Sequence, residues 1–377
     1  MVKRYATILT TILLSSVGLP VFVAQSSAAD LDTPPAVKTK PKPAPDVPFF
    51  TVNDNRLTFE HIFHTIDAGN FSVRPNGTIN GTTDMNVAAF THFDVWAYGT
   101  NFFKIGVYKS GQNDPAAPCT NAGVITNPLP GGGTFDVAAG CAGSVDIYGL
   151  VRSTFGFNEI FDTKAFSVGP LRGVSLEVGA DADSQNSYSA SAKRMFVAGL
   201  QFEFDLPYKG YIDIAPLWKT EQGHNAFTQC GSVFAAPAPA CNVNGNMNFQ
   251  DTWALEINYY MDLGFLPESV QYFAVSGRAG FYGPKGPSHG IAGSEPTKME
   301  INSEPIRLTF DAGRAIWGKK LVHEVDLWVA YRYWQNQYGD DANSTPFVCT
   351  LPTAGGGKIS TNSCTTSSLA TGVTLKF

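Results

Sequence analysis

The chain has 377 residues, of which 15% are charged, 12% are aromatic and 37 are glycine, and its net charge is −6. A mildly acidic chain lacks the basic face that nucleic acid requires, and glycine, threonine, asparagine and aromatics dilute the helix formers throughout, which points to β structure. Beyond the first thirty residues no unbroken apolar stretch reaches the roughly 18 residues of a membrane-crossing helix, so two classes remain: a soluble exported β protein, or one that enters a membrane as strands.

The N-terminus reads as a secretory signal peptide over residues 1–29. Lys3 and Arg4 precede an apolar run from Ile8 to Ala24, and Ser27-Ala28-Ala29 supplies small residues before Asp30. Residues 30–54 form a Pro/Lys-rich periplasmic segment, with prolines at 34, 35, 41, 43, 45 and 48 and lysines at 38, 40 and 42. Proline blocks regular ladders and favours a stiff extended spacer.

From residue 55 to 377 the chain alternates with a period of two, in segments close to the ~10 residues of a tilted membrane strand. Leu57, Phe59 and Phe63 oppose Thr58, Glu60 and His64. Val87, Ala89, Phe93 and Val95 oppose Asn86, His92 and Asp94. After a tight "YGTN" turn at 98–101, Phe103, Ile105 and Val107 oppose Lys104 and Tyr108. Val145, Ile147 and Val151 oppose Asp146, Tyr148 and Arg152, and Val174, Leu176 and Val178 oppose Ser175 and Glu177. Phe196 to Phe204 then alternate with Gln201, Glu203 and Asp205, and Ile212 and Ile214 with Tyr211 and Asp213.

In the last third, Trp253 to Met261 oppose Thr252, Glu256 and Asn258, and Phe273 and Val275 oppose Ser276 and Arg278. Ile306, Leu308 and Phe310 oppose Arg307 and Asp311; Val325 to Tyr333 oppose Glu324, Asp326 and Arg332. The closing run "TSSLATGVTLKF" brings the count to about twelve, an even number suited to a closed antiparallel barrel.

Links near 98–101, 156–164, 207–210, 262–269 and 313–320 are short, whereas those near 67–85, 110–143, 183–194, 222–248, 283–298 and 337–366 are mostly longer. Strict alternation of short and long predicts periplasmic turns at one end, extracellular loops at the other, and both termini on the periplasmic side. All six cysteines fall in the outer set. Local pairing in an oxidising compartment predicts Cys119–Cys141, Cys230–Cys241 and Cys349–Cys364. Their spacing, without CxxC or nearby ligand-like histidines, does not suggest metal.

The expected fold is therefore all-β: a transmembrane antiparallel β-barrel of about 12 strands with short periplasmic turns and longer disulfide-bearing extracellular loops, in a Gram-negative outer membrane. Its partners would be outer-membrane lipid and lipopolysaccharide. Phe377 resembles the C-terminal signal read by the outer-membrane insertion machinery.

Several blocks carry a further likeness: "HFDVWAYGTNFFKI", "FSVGPLRGVSLEVG", "GLQFEFDLP", "EPIRLTFDAG" and "YRYWQNQYG", in this order over most of the chain. They resemble the nucleoside-specific channel-forming (Tsx) family of outer-membrane proteins, which implies a small barrel that passes nucleosides. The Pro/Lys segment and the cysteine-bearing loops depart from that pattern.

If the apolar faces meet lipid, the opposite faces line a lumen. The pore-lining candidates are Glu60, Phe90, Asp94, Tyr148, Arg152, Glu256, Asp326, Trp328, Arg332 and Trp334, eight of them in two sets: Asp326, Trp328, Arg332 and Trp334 on the eleventh segment, and Phe90, Asp94, Tyr148 and Arg152 on the second and fourth. Aromatics offer a flat surface to a base, at about 1–3 kcal/mol per stack, and carboxylates accept from ribose hydroxyls. The resulting expectation is a passive channel for small hydrophilic solutes, nucleosides first, with a general small-solute porin as the alternative. A plugged barrel serving as a surface interaction protein, and an outer-membrane hydrolase, are weaker alternatives. "GPSHG" and "QGHNAF" contain serine or histidine without a supporting carboxylate at a recognisable spacing, so no enzyme, cofactor or metal is expected.

Overall fold

The computed structural model describes residues 49–66, 70–73, 78–111, 114–115, 126–128, 134–136, 143–187, 190–226, 229–231, 241–286, 297–346 and 348–377. Twelve long strands follow in chain order: β1 (Phe50–Thr65), β2 (Thr83–Trp96), β3 (Gly99–Ser110), β4 (Val145–Gly156), β5 (Leu171–Gln185), β6 (Ala192–Leu206), β7 (Gly210–His224), β8 (Thr252–Asp262), β9 (Phe273–Tyr282), β10 (Glu300–Asp311), β11 (Val325–Gln335) and β12 (Thr365–Lys376). Each pairs antiparallel with its neighbours in sequence, and β12 returns to β1, with Arg56 opposite Lys376 and Ile62 opposite Ala370. The short strand Asn246–Asn248 only extends the upper edge of β7.

Closure determines the two faces, because directly paired residues share a side of the sheet. Leu57, Phe59, Phe103, Ile105, Val107, Ile147, Val151, Leu176, Phe196, Leu200, Ile306, Leu308, Leu327, Val329, Leu369 and Leu375 are all exposed on the outward face. So large an apolar surface is unfavourable against water, and in a closed barrel it is the lipid-facing band. Aromatics flank it. Phe196 sits 6.2 Å from Trp218, itself opposite Trp253, on one side. Trp96 meets Tyr98 and Phe155 at 5.3 and 5.9 Å on the other. The chain is a transmembrane β-barrel of the outer-membrane kind.

Both ends of the described barrel wall, Phe50 and Phe377, lie at the same rim. The backbone N–H of Phe377 donates to the Asn55 carbonyl at 3.0 Å, extending the closing ladder, and its ring lies 6.5 Å from Phe90. At this rim the links carry short helices, α1 (Phe157–Ile160) and α2 (Ala312–Trp317). At the other rim two disulfides close within loops, Cys230–Cys241 and Cys349–Cys364. Cys119, Cys141 and the segment 1–48 lie outside the described residues.

Link lengths do not alternate as strictly as the sequence suggests. The upper link 186–191 is shorter than the lower links 157–170, 263–272 and 312–324. The cause is that β5 and β6 stay paired almost to their tips, Ser184 opposite Ala192, and the Gln185 N–H donates to the Ser191 carbonyl at 3.1 Å. The ladder absorbs what would have been loop.

Gly372 on β12 shows how tightly closure is packed. A Cβ there would lie 2.5 Å from Trp328 Cζ2 and 2.6 Å from the Phe59 carbonyl oxygen. Gly372→Val should therefore destabilise the barrel by about 1–3 kcal/mol, the usual range for overpacking. The check is the temperature at which the purified protein loses its compact, fast-migrating form in detergent electrophoresis, which should fall.

Candidate functional site: a charged lumen crossed by ion pairs

The inward face holds two apolar patches on opposite groups of strands. Ile62, Met85, Val87, Ala89, Trp328, Ala330 and Ala370 form one, on β1, β2, β11 and β12. Met195, Val197, Ala215, Leu217, Ala254 and Tyr282 form the other, on β6 to β9. Between them the lumen is ionic.

Arg152 on β4 is the centre of the largest network. Its Nη1 donates to Asp181 on β5 at 2.5 Å, its Nη2 to Glu256 on β8 at 2.7 Å, and its Nε lies 3.5 Å from Glu177. β4 and β8 are not neighbours in the sheet, so the Arg152–Glu256 pair crosses the lumen. Tyr148 donates to Asp181 at 2.9 Å, Gln201 to Glu177 at 3.1 Å and Tyr282 to Glu256 at 3.3 Å. A guanidinium shared among three carboxylates, with neutral donors on the remaining oxygens, is the arrangement that makes buried charge tolerable.

A second network lies on the other side. Arg332 forms ion pairs with Glu60 at 2.6 Å and Glu304 at 3.2 Å, Arg307 donates to Glu304 at 2.6 Å, and the Arg307 guanidinium lies 3.8 Å above the Trp328 ring. The Trp328 indole N–H donates to Thr374 at 3.1 Å. Its ring is therefore covered by a cation and buried, with 4% of its surface exposed. Nearer the upper rim, Glu221 pairs with Lys219 at 2.6 Å and with Lys285, and Trp334 donates to Glu300 at 2.8 Å. Tyr338, in the β11–β12 loop, reaches across to Asp183 on β5 at 3.1 Å.

At the lower rim Arg56 bonds Asp54 at 2.7 Å, as Lys376 does at 3.1 Å. His323, in the turn before β11, holds Asp326 at 2.9 Å. That hydrogen bond first, and the charges of Asp326 and Asp311 with it, raise the His323 pKa above its ordinary value, although burial opposes them.

Of the residues singled out from sequence, Glu60 and Arg332 come together, as do Arg152 and Glu256, and Tyr148 shares Asp181 with Arg152. Asp326, Trp328 and Trp334 also point inward but join separate partners. Phe90 and Asp94 do not face the lumen. Phe90 pairs with outward Leu57, while Val87 pairs with inward Glu60, so β2 is inverted relative to the sequence expectation. Its Met85, Val87 and Ala89 pack inside with Trp328, and its Asn86, His92 and Asp94 lie outside. There Asp94 accepts from Asn101 at 2.9 Å and pairs with His92 at 3.0 Å, and His92 meets Asn55 at 2.8 Å. Trp96 lies on that outer face as well. The rule that greasy residues meet lipid fails where a bulky inward aromatic needs small apolar neighbours.

Sequence reasoning missed Asp181, Lys193, Lys219, Glu221, Lys285, Glu300 and Glu304 in the lumen. Extending the alternation two residues past Gly179 would have reached Asp181. Lys219 and Glu221 lie beyond Pro216, a residue that ordinarily argues against a central strand; here β7 continues through it, opposite Leu255.

No protein-family model matches the chain, and no curated protein matches it. Among solved structures, an outer-membrane channel from Pseudomonas putida F1 is similar at 8% identity and TM-score 0.41, over 88% of this chain and 98% of that one. The deltaS2S3 mutant of the monoaromatic hydrocarbon channel TodX is similar at 9% identity and TM-score 0.37, over 86% and 90%. The β domain of the Bordetella autotransporter BrkA gives 8% and 0.32, over 86% and 99%. At these scores the likenesses carry no argument; the strand pairing itself establishes the barrel.

Removing the crossing side chain should open the lumen. Arg152→Ala is expected to raise single-channel conductance in planar bilayers and to destabilise the barrel by about 3–5 kcal/mol, because Asp181, Glu177 and Glu256 lose their shared cation. Asp94→Asn, on the outer face, should leave conductance unchanged.

Proposed function

We propose that the protein is a passive channel of a Gram-negative outer membrane for small hydrophilic solutes. The observation that carries this reading is the lumen itself: charges of both signs, paired across the passage by Arg152 and Glu256, between two inner apolar patches and inside a wall whose outer side is a broad apolar band. A twelve-stranded barrel is wider than the eight-stranded barrels that side chains fill and narrower than the 16–18-stranded porins with open aqueous channels. Such a bore suits a small solute that exchanges hydrogen bonds with the wall as it moves. Mixed charge attracts neither cations nor anions strongly and favours neutral or zwitterionic polar molecules. Conduction also requires weak binding at several points rather than one deep site, as the successive networks provide.

Nucleosides are the cargo to which the family resemblance points, with carboxylates available to ribose hydroxyls. General small-solute passage is the alternative, favoured by the state of Trp328, whose face is taken by Arg307 and is not free to stack on a base. Insertion through recognition of Phe377 by the outer-membrane assembly machinery, and contact of the upper outer wall with lipopolysaccharide, complete the proposal.

The test is liposome swelling with nucleosides, sugars and amino acids side by side, together with bilayer conductance. Uptake of all three classes in order of size supports a general porin. Preferential uptake of nucleosides, with nucleoside block of the ion current, supports the narrower cargo. A barrel that neither conducts nor swells liposomes would overturn the channel reading.

A further inference from the structure

At the lower rim, outside the two central networks, Asp311 at the end of β10, His323 in the turn and Asp326 at the start of β11 bring two carboxylates and an imidazole together, with one ligand atom from each within 4.8 Å of the others. We propose that this is a binding site for a divalent first-row transition ion such as zinc, a proposal independent of what the lumen transports.

Hydrogen-bond direction supplies the argument. The Tyr260 hydroxyl donates to Asp262 Oδ1 at 2.6 Å and lies 3.3 Å from His323 Nε2. With its proton committed, the Tyr260 oxygen can only accept, which places a proton on Nε2. Nδ1 then faces Asp326 Oδ1 and Oδ2 at 2.9 and 3.2 Å and Asp311 Oδ2 at 3.8 Å. That nitrogen donates its own proton to Asp326; an ion that displaces the proton meets the freed Nδ1 lone pair and the oxygens of Asp326 and Asp311, three ligand atoms converging on one point.

A second observation points the same way. Asp311 is 2% exposed, its Oδ1 caps α2 by accepting the Arg314 N–H at 2.7 Å, and its Oδ2, turned toward His323, has no hydrogen-bond partner among the described residues. A buried carboxylate oxygen left bare is unfavourable. The one cationic partner of Asp311 Oδ2 among the described residues is His323, at 3.8 Å.

The spacing fits a metal. Zinc bonds to imidazole nitrogen and carboxylate oxygen of about 2.0–2.2 Å place neighbouring ligand atoms about 3–3.5 Å apart, and the distances from Nδ1 already span 2.9–3.8 Å. The Nε2–Tyr260–Asp262 chain is the outer support that ligating histidines characteristically have. Three protein ligands leave positions for water. Bound there, the ion would tie β10 and β11 together across the turn that carries α2.

The test uses the full untagged protein in detergent, stripped with chelator and titrated with zinc by calorimetry and with cobalt by its visible absorption, magnesium serving as the control. One equivalent of zinc or cobalt per chain is expected, together with a melting temperature that rises with zinc. Asp311→Asn keeps an acceptor for the helix cap, and His323→Asn keeps a side chain that tolerates the positive φ of 58° at this position; each should abolish the saturable binding while the barrel stays folded. The proposal falls if the wild-type protein binds no stoichiometric zinc or cobalt, a proton alone then filling the gap. It falls equally if binding survives unchanged in both variants.

Discussion

Closure of the hydrogen-bond ladder is the constraint on which everything else depends. In hydrocarbon no water is available to an unpaired backbone N–H or C=O, so a sheet can cross only if its last strand finds its first. Here β12 pairs with β11 along its whole length and with β1 over its lower part, and the terminal Phe377 continues that ladder through its own N–H. Once the ring is closed, every residue is assigned to lipid or lumen by parity alone. The only local freedom left is a bulge, such as those between Ser303 and Ile306 on β10 and at Arg172 on β5, opposite Glu203 and Phe204 of β6. The β10 bulge lets Glu304 and Arg307, three residues apart, both point inward and bond each other.

Much of this was legible in the sequence because parity is a one-dimensional signal. Strands with large apolar residues on the lipid side, such as β3, β6, β8 and β11, announce both their existence and their orientation. β2 announced its existence and concealed its orientation. Its inward residues Met85, Val87 and Ala89 are apolar because they pack against Trp328, and its outward His92 and Asp94 satisfy each other near the lower aromatic girdle, where polar groups are tolerated. Hydrophobicity along one strand cannot reveal that; it depends on what stands across the barrel. Phe90 and Asp94 were misplaced for this reason, not through any error in spacing.

The same limit explains which partnerships the sequence could not supply. Glu60 with Arg332, and Arg152 with Glu256, are separated by hundreds and by about a hundred positions, and nothing local marks either member as a mate of the other. Closure brings Glu60 near Arg332 because β1 and β11 flank β12. Arg152 meets Glu256 for a different reason: its side chain is long enough to span from β4 toward β8. The disulfides behave oppositely. Cys230–Cys241 and Cys349–Cys364 are local bridges, and loop spacing was sufficient to anticipate them.

The choice of ion pairs over apolar filling follows from the bore. Leucine or phenylalanine on one wall of a twelve-stranded cylinder leaves a gap at the axis, and a dry gap forfeits dispersion contacts on both sides. Arginine, lysine and glutamate are long enough to meet there. Their attraction in a partly desolvated space is strong when paired and hydrogen-bonded, so they narrow the passage without sealing it with a hydrophobic plug. A polar molecule entering such a passage can replace one hydrogen bond at a time, whereas an apolar plug would have to be displaced whole. The apolar patches around Trp328 and Val197 then act as firm walls, and the charged side chains between them form the part of the lumen able to exchange partners with a solute.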